Sequence, residues 1–493
     1  MIKWIKRLPG YSRTALKRIL KLVAMVLFGG LTTGITLLVV TLNGRPDLDI
    51  WHEADLDEEF TRSSEVESFD DYVAMEERLF AQLKQEVYDK IEEKDKRLLN
   101  RFNAGSMSDA SGWPQNWNRT WRVEPENPTA GVLLLHGMSD SPYSMRSLGQ
   151  QMDDGKTAII ALRIPGHGTA PCGLLDVRWE DMAAAVKLAM QHLKEKVGEG
   201  PISMIGYSNG GALAVEYSLS AIEDSSMPRA HKLVLLSPSI GVSKMAAFAI
   251  WQSRLGRVLG LKKLAWNAIL PEYEAYKYGS FSLNAARQAY RLTKSIKKRL
   301  RRAKSSESLA AFPPVLAFQS VVDATVTAPA LVEVLFDSLP ENGHELVLYD
   351  VNRLTGLEPI FQPNPTPGLD EIEAHLGHSF RVTILANKDG QSREIVARTR
   401  APGSETLEEL TTDLAWPRGI YSLSHVALPF AETDAIYGGE TAEKSPGLQI
   451  GNTIIRGERG VLQIPAATML RLRWNPFYNF QAERILAFLG DGS

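Results

Sequence analysis

Ile202-Ser203-Met204-Ile205-Gly206-Tyr207-Ser208-Asn209-Gly210-Gly211 is the stretch whose reading decides the fold. Residues 202–205 read as a short buried strand and residues 210–221 as a helix. Between them, Gly-x-Ser-x-Gly forces a turn so tight that the serine is held in a strained backbone conformation, with small residues on either side to avoid a clash between strand and helix. The Ser208 hydroxyl is thereby lifted clear of the sheet, above a helix N-terminus that favours developing negative charge. The bare pattern arises by chance. The strand before it and the helix after it make Ser208 a candidate nucleophile.

Outward from this turn, apolar runs at 132–135, 157–162, 233–236, 315–318 and 346–349 read as further buried strands, with helical stretches such as 179–196 between most of them. Strands alternating with helices predict an α/β fold, a mainly parallel sheet covered on both faces. His136-Gly137-Met138 follows the first of these strands. In this architecture that position supplies a second oxyanion donor, so the Met138 N–H is expected to act with the Asn209 N–H. His136 itself reads as a brace for the loop.

Three motifs together carry a resemblance: His136-Gly137-Met138, Pro165-Gly166-His167-Gly168, and Gly206-Tyr207-Ser208-Asn209-Gly210. They resemble the monoacylglycerol lipase and carboxylesterase branch of the α/β-hydrolases, which is akin to the S33 serine aminopeptidases. Leu175-Asp176-Val177-Arg178-Trp179-Glu180-Asp181 is similar to the same branch, where a Trp opens the helix leading to the nucleophile strand. The likeness covers residues 119–237 well and 313–350 fairly. It does not extend to the first 110 residues or to 352–416.

The resemblance implies an α/β-hydrolase fold with a helical cap and a triad in the order Ser, Asp, His. Asp323, in Val322-Asp323-Ala324-Thr325-Val326 just past a strand, resembles the family's acid motif; Asp350 is the alternative, and Asp337 falls in an expected helix. Four histidines follow Asp323: His344, His375, His378 and His425. His344 precedes a strand and so points to the wrong end of the sheet. His425, in Leu423-Ser424-His425-Val426, resembles the family's catalytic histidine loop and is the expected base. His378 is the alternative and is expected at the surface. His375 and His378, three apart, could suggest metal, but no cysteine or second cluster joins them, so no metal or cofactor is expected.

The flanking chain reads differently. Residues 1–21 carry seven Lys or Arg and no acid, and residues 22–42 carry no charge. That length of apolar helix spans a bilayer core. The stretch is longer than a cleavable signal's apolar core, and Thr41-Leu42-Asn43-Gly44 is a poor cleavage site, so an uncleaved anchor is expected. The basic flank should remain in the cytoplasm, with the rest outside it. The expected organisation is then a basic segment 1–21, a transmembrane helix 22–42, an acidic stem and helical linker 43–118, hydrolase core 119–242, helical cap 243–311, core 312–351, an insertion with a β-hairpin 352–416, and core 417–493. Within the cap, residues 291–304 hold eight basic residues, read as a solvated helix face or as a surface that meets anionic lipid.

A net charge of −3 over 493 residues gives no reason to expect nucleic acid. Cys172 is the sole cysteine, so no intramolecular disulfide forms, and it reads as a packing residue. The function expected is a membrane-anchored serine esterase acting on a small acyl ester, lipid-like in kind. A serine aminopeptidase or amidase, and a non-catalytic binding protein on the same fold, are the alternatives.

Overall fold

The strand that leads to Ser208 lies near the middle of a ten-stranded sheet. The structure is a computed structural model and describes residues 13–241, 261–354, 366–374, 377–451, 453 and 464–490. The strands are β1 (Trp121–Val123), β2 (Ala130–Leu135), β3 (Thr157–Leu162), β4 (Ile202–Tyr207), β5 (Leu233–Leu236), β8 (Val315–Ser320), β9 (Glu345–Tyr349), β10 (Arg381–Asn387), β11 (Glu394–Arg400) and β12 (Glu408–Ala415). A separate small pair, β6 (Trp266–Ala268) and β7 (Phe281–Ser282), lies in the cap. The sheet order is β1-β3-β2-β4-β5-β8-β9-β10-β11-β12. β3 through β10 in that order run parallel, while β1 and the last two strands are antiparallel to their neighbours.

The chain moves outward from β2 to β3, then returns to place β4 on the other side of β2. That reversal is a topological switch point, where the loops after two adjacent strands diverge and leave a crevice at their carboxyl ends. His136-Gly137-Met138 follows β2 and Ser208 follows β4, so both motifs meet there.

Alternate residues of each central strand feed opposite faces. Leu133, Leu135, Met204 and Leu235 pack with the helices Phe69–Glu86, Trp179–Val197, Asn209–Glu223 and Leu283–Ser305. Leu134, Ile205, Leu236 and Phe318 pack with the helix Tyr478–Gly490 on the other face. Strands buried on both faces are continuous apolar runs, the pattern that made them legible.

In residues 43–118 the helical linker forms as Phe69–Glu86, but the acidic stem packs onto the body instead of standing in solvent. Phe60, Phe69, Tyr72 and Met75 belong to the main core, and Trp51 stacks on Phe102 at 5.3 Å. The stem's acids are used inward: Arg163, fully buried, donates to both oxygens of Glu59 at 2.9 and 3.0 Å and lies 3.2 Å from Glu76. The late insertion is likewise continuous with the body. Its hairpin, β10 and β11, forms as expected, but β10 pairs in parallel with β9 and so extends the central sheet. β12 adds a further, exposed edge strand that the sequence reading had not placed. Glu408, Glu409 and Asp413 on it discourage edge-to-edge pairing.

In the cap, residues 242–260 lie outside the described residues. The basic helix Leu283–Ser305 buries Leu292, Ile296 and Leu300 against the helix Asn209–Glu223. Arg299 pairs with Glu216 and Glu223, and Arg291 with Glu180, so part of its charge serves packing. Cys172 packs beside Trp51 and Phe102, where burial pushes its thiol up to about 12. At the N-terminus, residues Lys17–Asn43 of the helix Arg13–Asn43 are long and apolar enough to cross a membrane, and the most apolar window has no buried residue. An anchor and a signal sequence share these properties.

Candidate active site

Ser208 occupies the turn with φ 53° and ψ −113°, a left-handed conformation that a residue with a side chain enters only when its surroundings hold it there. Gly210 shows why the flanks must be small: a Cβ there would lie 2.2 Å from the Leu135 carbonyl oxygen. The Ser208 amide donates to Leu236 O at 2.9 Å, fixing the turn to β5.

His425 opens the short turn His425–Ala427, in which Ala427 and the flanking Leu423 and Leu428 are fully buried, and the Ser424 hydroxyl donates to Leu472 O. The His425 ring is thereby aimed at the elbow, with Nε2 3.0 Å from Ser208 Oγ. Its Nδ1 lies 2.7 Å from Asp323 Oδ2. Asp323 sits in the loop after β8 and accepts from the amides of Thr325 (2.8 Å) and Val326 (3.0 Å) and from Gln319 Nε2 (3.0 Å). Burial acts to raise its pKa, but the neighbouring His425 and the amides of Val326 and Thr325 outweigh burial and hold the carboxyl below its ordinary value.

The loop after β2 closes the other side. A Cβ at Gly137 would lie 2.8 Å from the Tyr207 ring and 3.3 Å from Ser208 Cβ, so Met138 follows a backbone already pressed against the elbow. His136 braces this loop as expected: its Nε2 accepts from Ile164 N at 3.0 Å and its Nδ1 donates to Gly137 O at 2.8 Å. Burial, with His167 alongside, pushes its pKa well down. Asn209 begins the helix beyond Ser208 and is buried.

The other sequence candidates lie elsewhere. Asp350 is held by Arg353, with Nη2 at 3.0 Å. His344 Nδ1 accepts from Val315 N at 3.1 Å. His375 lies outside the described residues. His378 is buried rather than at the surface, its ring 4.5 Å from that of Phe380 and its Nδ1 4.0 Å from Asp337.

Two residues escaped the sequence reading. Ser239, just past β5, places its Oγ 3.1 Å from Ser208 Oγ and donates its amide to Ser208 O at 2.8 Å. Gln319 steadies Asp323. Both lie at or just beyond the carboxyl ends of β5 and β8, the next two strands after β4 in the sheet, so their position along the sheet was the available signal.

The sheet order and the strand-end motifs are those of the α/β-hydrolase fold. Residues 126–353 match the family model described as serine aminopeptidase, S33. Within the superfamily, the likeness is to the monoacylglycerol lipase and esterase branch. A thermostable monoacylglycerol lipase of Bacillus sp. (strain H-257) is 32% identical over 90 residues, covering 18% of this chain and 35% of that one. Phospholipase YtpA of Bacillus subtilis (strain 168) is 22% identical over 152 residues, covering 31% and 53%. The chain thus spans about a third to a half of the length of these curated relatives. Among solved structures, a monoacylglycerol lipase of Paleococcus ferrophilus aligns with a TM-score of 0.35 and 16% identity, over 47% of this chain and 89% of that one.

Proposed function

We propose that this chain is a membrane-anchored serine hydrolase that cleaves carboxylic esters, with lipid-like acyl esters as its substrate class. The observation that carries the reading is the relay from a strained Ser208 through His425 to Asp323. In the proposed reaction, His425 Nε2 takes the Ser208 proton as Oγ attacks the acyl carbonyl. The carbonyl electron pair moves to oxygen, which the Met138 and Asn209 amides receive; losing one such donor costs about 3–4 kcal/mol. The imidazolium passes its proton to the departing alkoxide and leaves an acyl-enzyme. Water, deprotonated by the same imidazole, then releases the acid. Asp323 keeps the His425 Nδ1 proton facing away from Ser208 and stabilises the imidazolium.

The lipid-like substrate class is supported by the names of the curated relatives, a monoacylglycerol lipase and a phospholipase. The membrane reading is supported by the N-terminal helix and by how closely its end is tied to the cap. Arg45 donates to Lys263 O at 2.7 Å and Asn267 O at 3.0 Å, and Lys263 Nζ donates to Arg45 O at 3.1 Å. A domain held this close to the end of the span would work at the bilayer surface. The basic flank argues for a non-cytoplasmic catalytic domain, periplasmic in a Gram-negative cell. Protease added to intact spheroplasts should then digest it, and protection until lysis would reverse the orientation.

The family description favours weighing an aminopeptidase as a second reading. That activity needs a carboxylate free to bind a substrate ammonium. Glu274, in the cavity beside the elbow, is already paired with Arg473 at 2.9 Å. Full-length protein in a neutral detergent should hydrolyse p-nitrophenyl esters faster than aminoacyl amides. Amide turnover without ester turnover would select the second reading.

A further inference from the structure

A cavity of about 190 Å³ lies against the chain neighbours of the relay and of the oxyanion loop: Tyr207 precedes Ser208, Ser139 follows Met138, and Val426 follows His425. Its wall carries four charged side chains, Glu274, Lys277, Arg471 and Arg473.

Two of these satisfy each other. Arg473 Nη1 donates to Glu274 Oε1, and the Tyr437 hydroxyl donates to Oε2 at 2.8 Å, so both carboxylate oxygens are engaged. Burial opposes ionisation of Glu274, but Arg473 and Lys277 hold its pKa below the ordinary value. The other two cations are not satisfied in this way. Among the described residues, neither Lys277, half-buried, nor Arg471, exposed, has a carboxylate within ion-pair distance. Lys277 also acts on Asp140, which is beyond that distance and whose pKa burial pushes up. Three cations therefore face one carboxylate beside the elbow. In a partly desolvated cavity that excess attracts an anion more strongly than it would in water. A neutral ester leaves it unused, and a substrate ammonium is repelled by it.

We propose that Lys277 and Arg471 bind an anionic group, phosphate or carboxylate, carried by the acyl ester that Ser208 attacks. This inference rests on the serine-hydrolase reading, so its test has one arm that needs no turnover. Three esters of the same acyl chain serve as probes: a monoacylglycerol, an acylglycerol phosphate and an acyl glycerate. With full-length protein in neutral detergent, kcat/KM should be about tenfold higher for an anionic ester than for the neutral one, mainly through KM, and salt should erode the difference. The phosphate and glycerate arms tell which anion is preferred. The readout is the anionic-to-neutral ratio, which should fall to within about twofold of unity in Lys277→Gln/Arg471→Gln and survive in Lys277→Arg. In the second arm, Ser208→Ala is titrated with the same lipids, followed by tryptophan fluorescence, and should bind an anionic ester about tenfold more tightly. Equal binding of anionic and neutral esters, or a preference that persists in the double glutamine variant, would overturn the proposal. Loss of turnover for all three esters with the binding preference intact would count against the hydrolase reading alone.

Discussion

The loops carrying His425 and His378 each bury a histidine near a carboxylate, but they stand at opposite ends of the sheet. His378 precedes β10 and His344 precedes β9, both parallel strands, so both lie at the amino end. Ser208 follows β4 at the carboxyl end, and His425 is brought back to that end after the chain has left β12. The partners differ too. Asp323 is fully buried, 2.7 Å from His425, and fixed by two amides, whereas Asp337 is 46% exposed and 4.0 Å from His378. Strand direction, more than the local sequence around a histidine, separates the two.

The comparison can be broken by substitution. His425→Ala should lower kcat/KM for a short p-nitrophenyl ester by roughly a millionfold, and Asp323→Asn by roughly ten-thousandfold. His378→Ala should leave turnover within about threefold of the parent and instead lower the thermal midpoint by a few degrees, since it removes a ring packed on Phe380. An inactive, folded His378→Ala together with an active His425→Ala would reverse the assignment.

A gentler test uses pH. Burial lowers the pKa values of His52, His167 and His344 to about 4 from an ordinary 6.5. The unfolded chain then binds more protons than the folded one between those values. Their contribution to stability is full above pH 6.5 and declines as pH falls toward 4. Each shift of that size corresponds to about 3 kcal/mol. The thermal midpoint should therefore fall steadily across that window, and a flat profile would show that these rings do not stay neutral in the fold.

Parts of the molecule differ in how openly the sequence declared them. β2, β3, β4, β5, β8 and β9 were legible because each is buried on both faces and written as an apolar run. β12 was not, because Glu408-Glu409-Leu410-Thr411-Thr412-Asp413 carries no apolar alternation at an exposed edge. In residues 43–118 the helix Phe69–Glu86 follows from its apolar period, but the placing of the acids does not, because acidic composition cannot tell a solvated carboxylate from one aimed inward, and Arg163, the partner of Glu59 and Glu76, lies about a hundred residues away. The elbow was legible because its constraint is local: strand, glycine, serine, glycine and helix are consecutive. Ser239 was hidden because its place beside Ser208 comes from the pairing of β5 with β4, which no local pattern encodes.

The proposed function stands or falls with Ser208 as a nucleophile activated by His425. The most direct test is labelling of the full-length protein by a fluorophosphonate probe, which reacts only with an activated serine, followed by mapping of the modified residue. The account predicts stoichiometric modification at Ser208, abolished in Ser208→Ala and reduced by orders of magnitude in His425→Ala. A folded protein that stays unlabelled, or carries the label on Ser239 with Ser208 untouched, would contradict it.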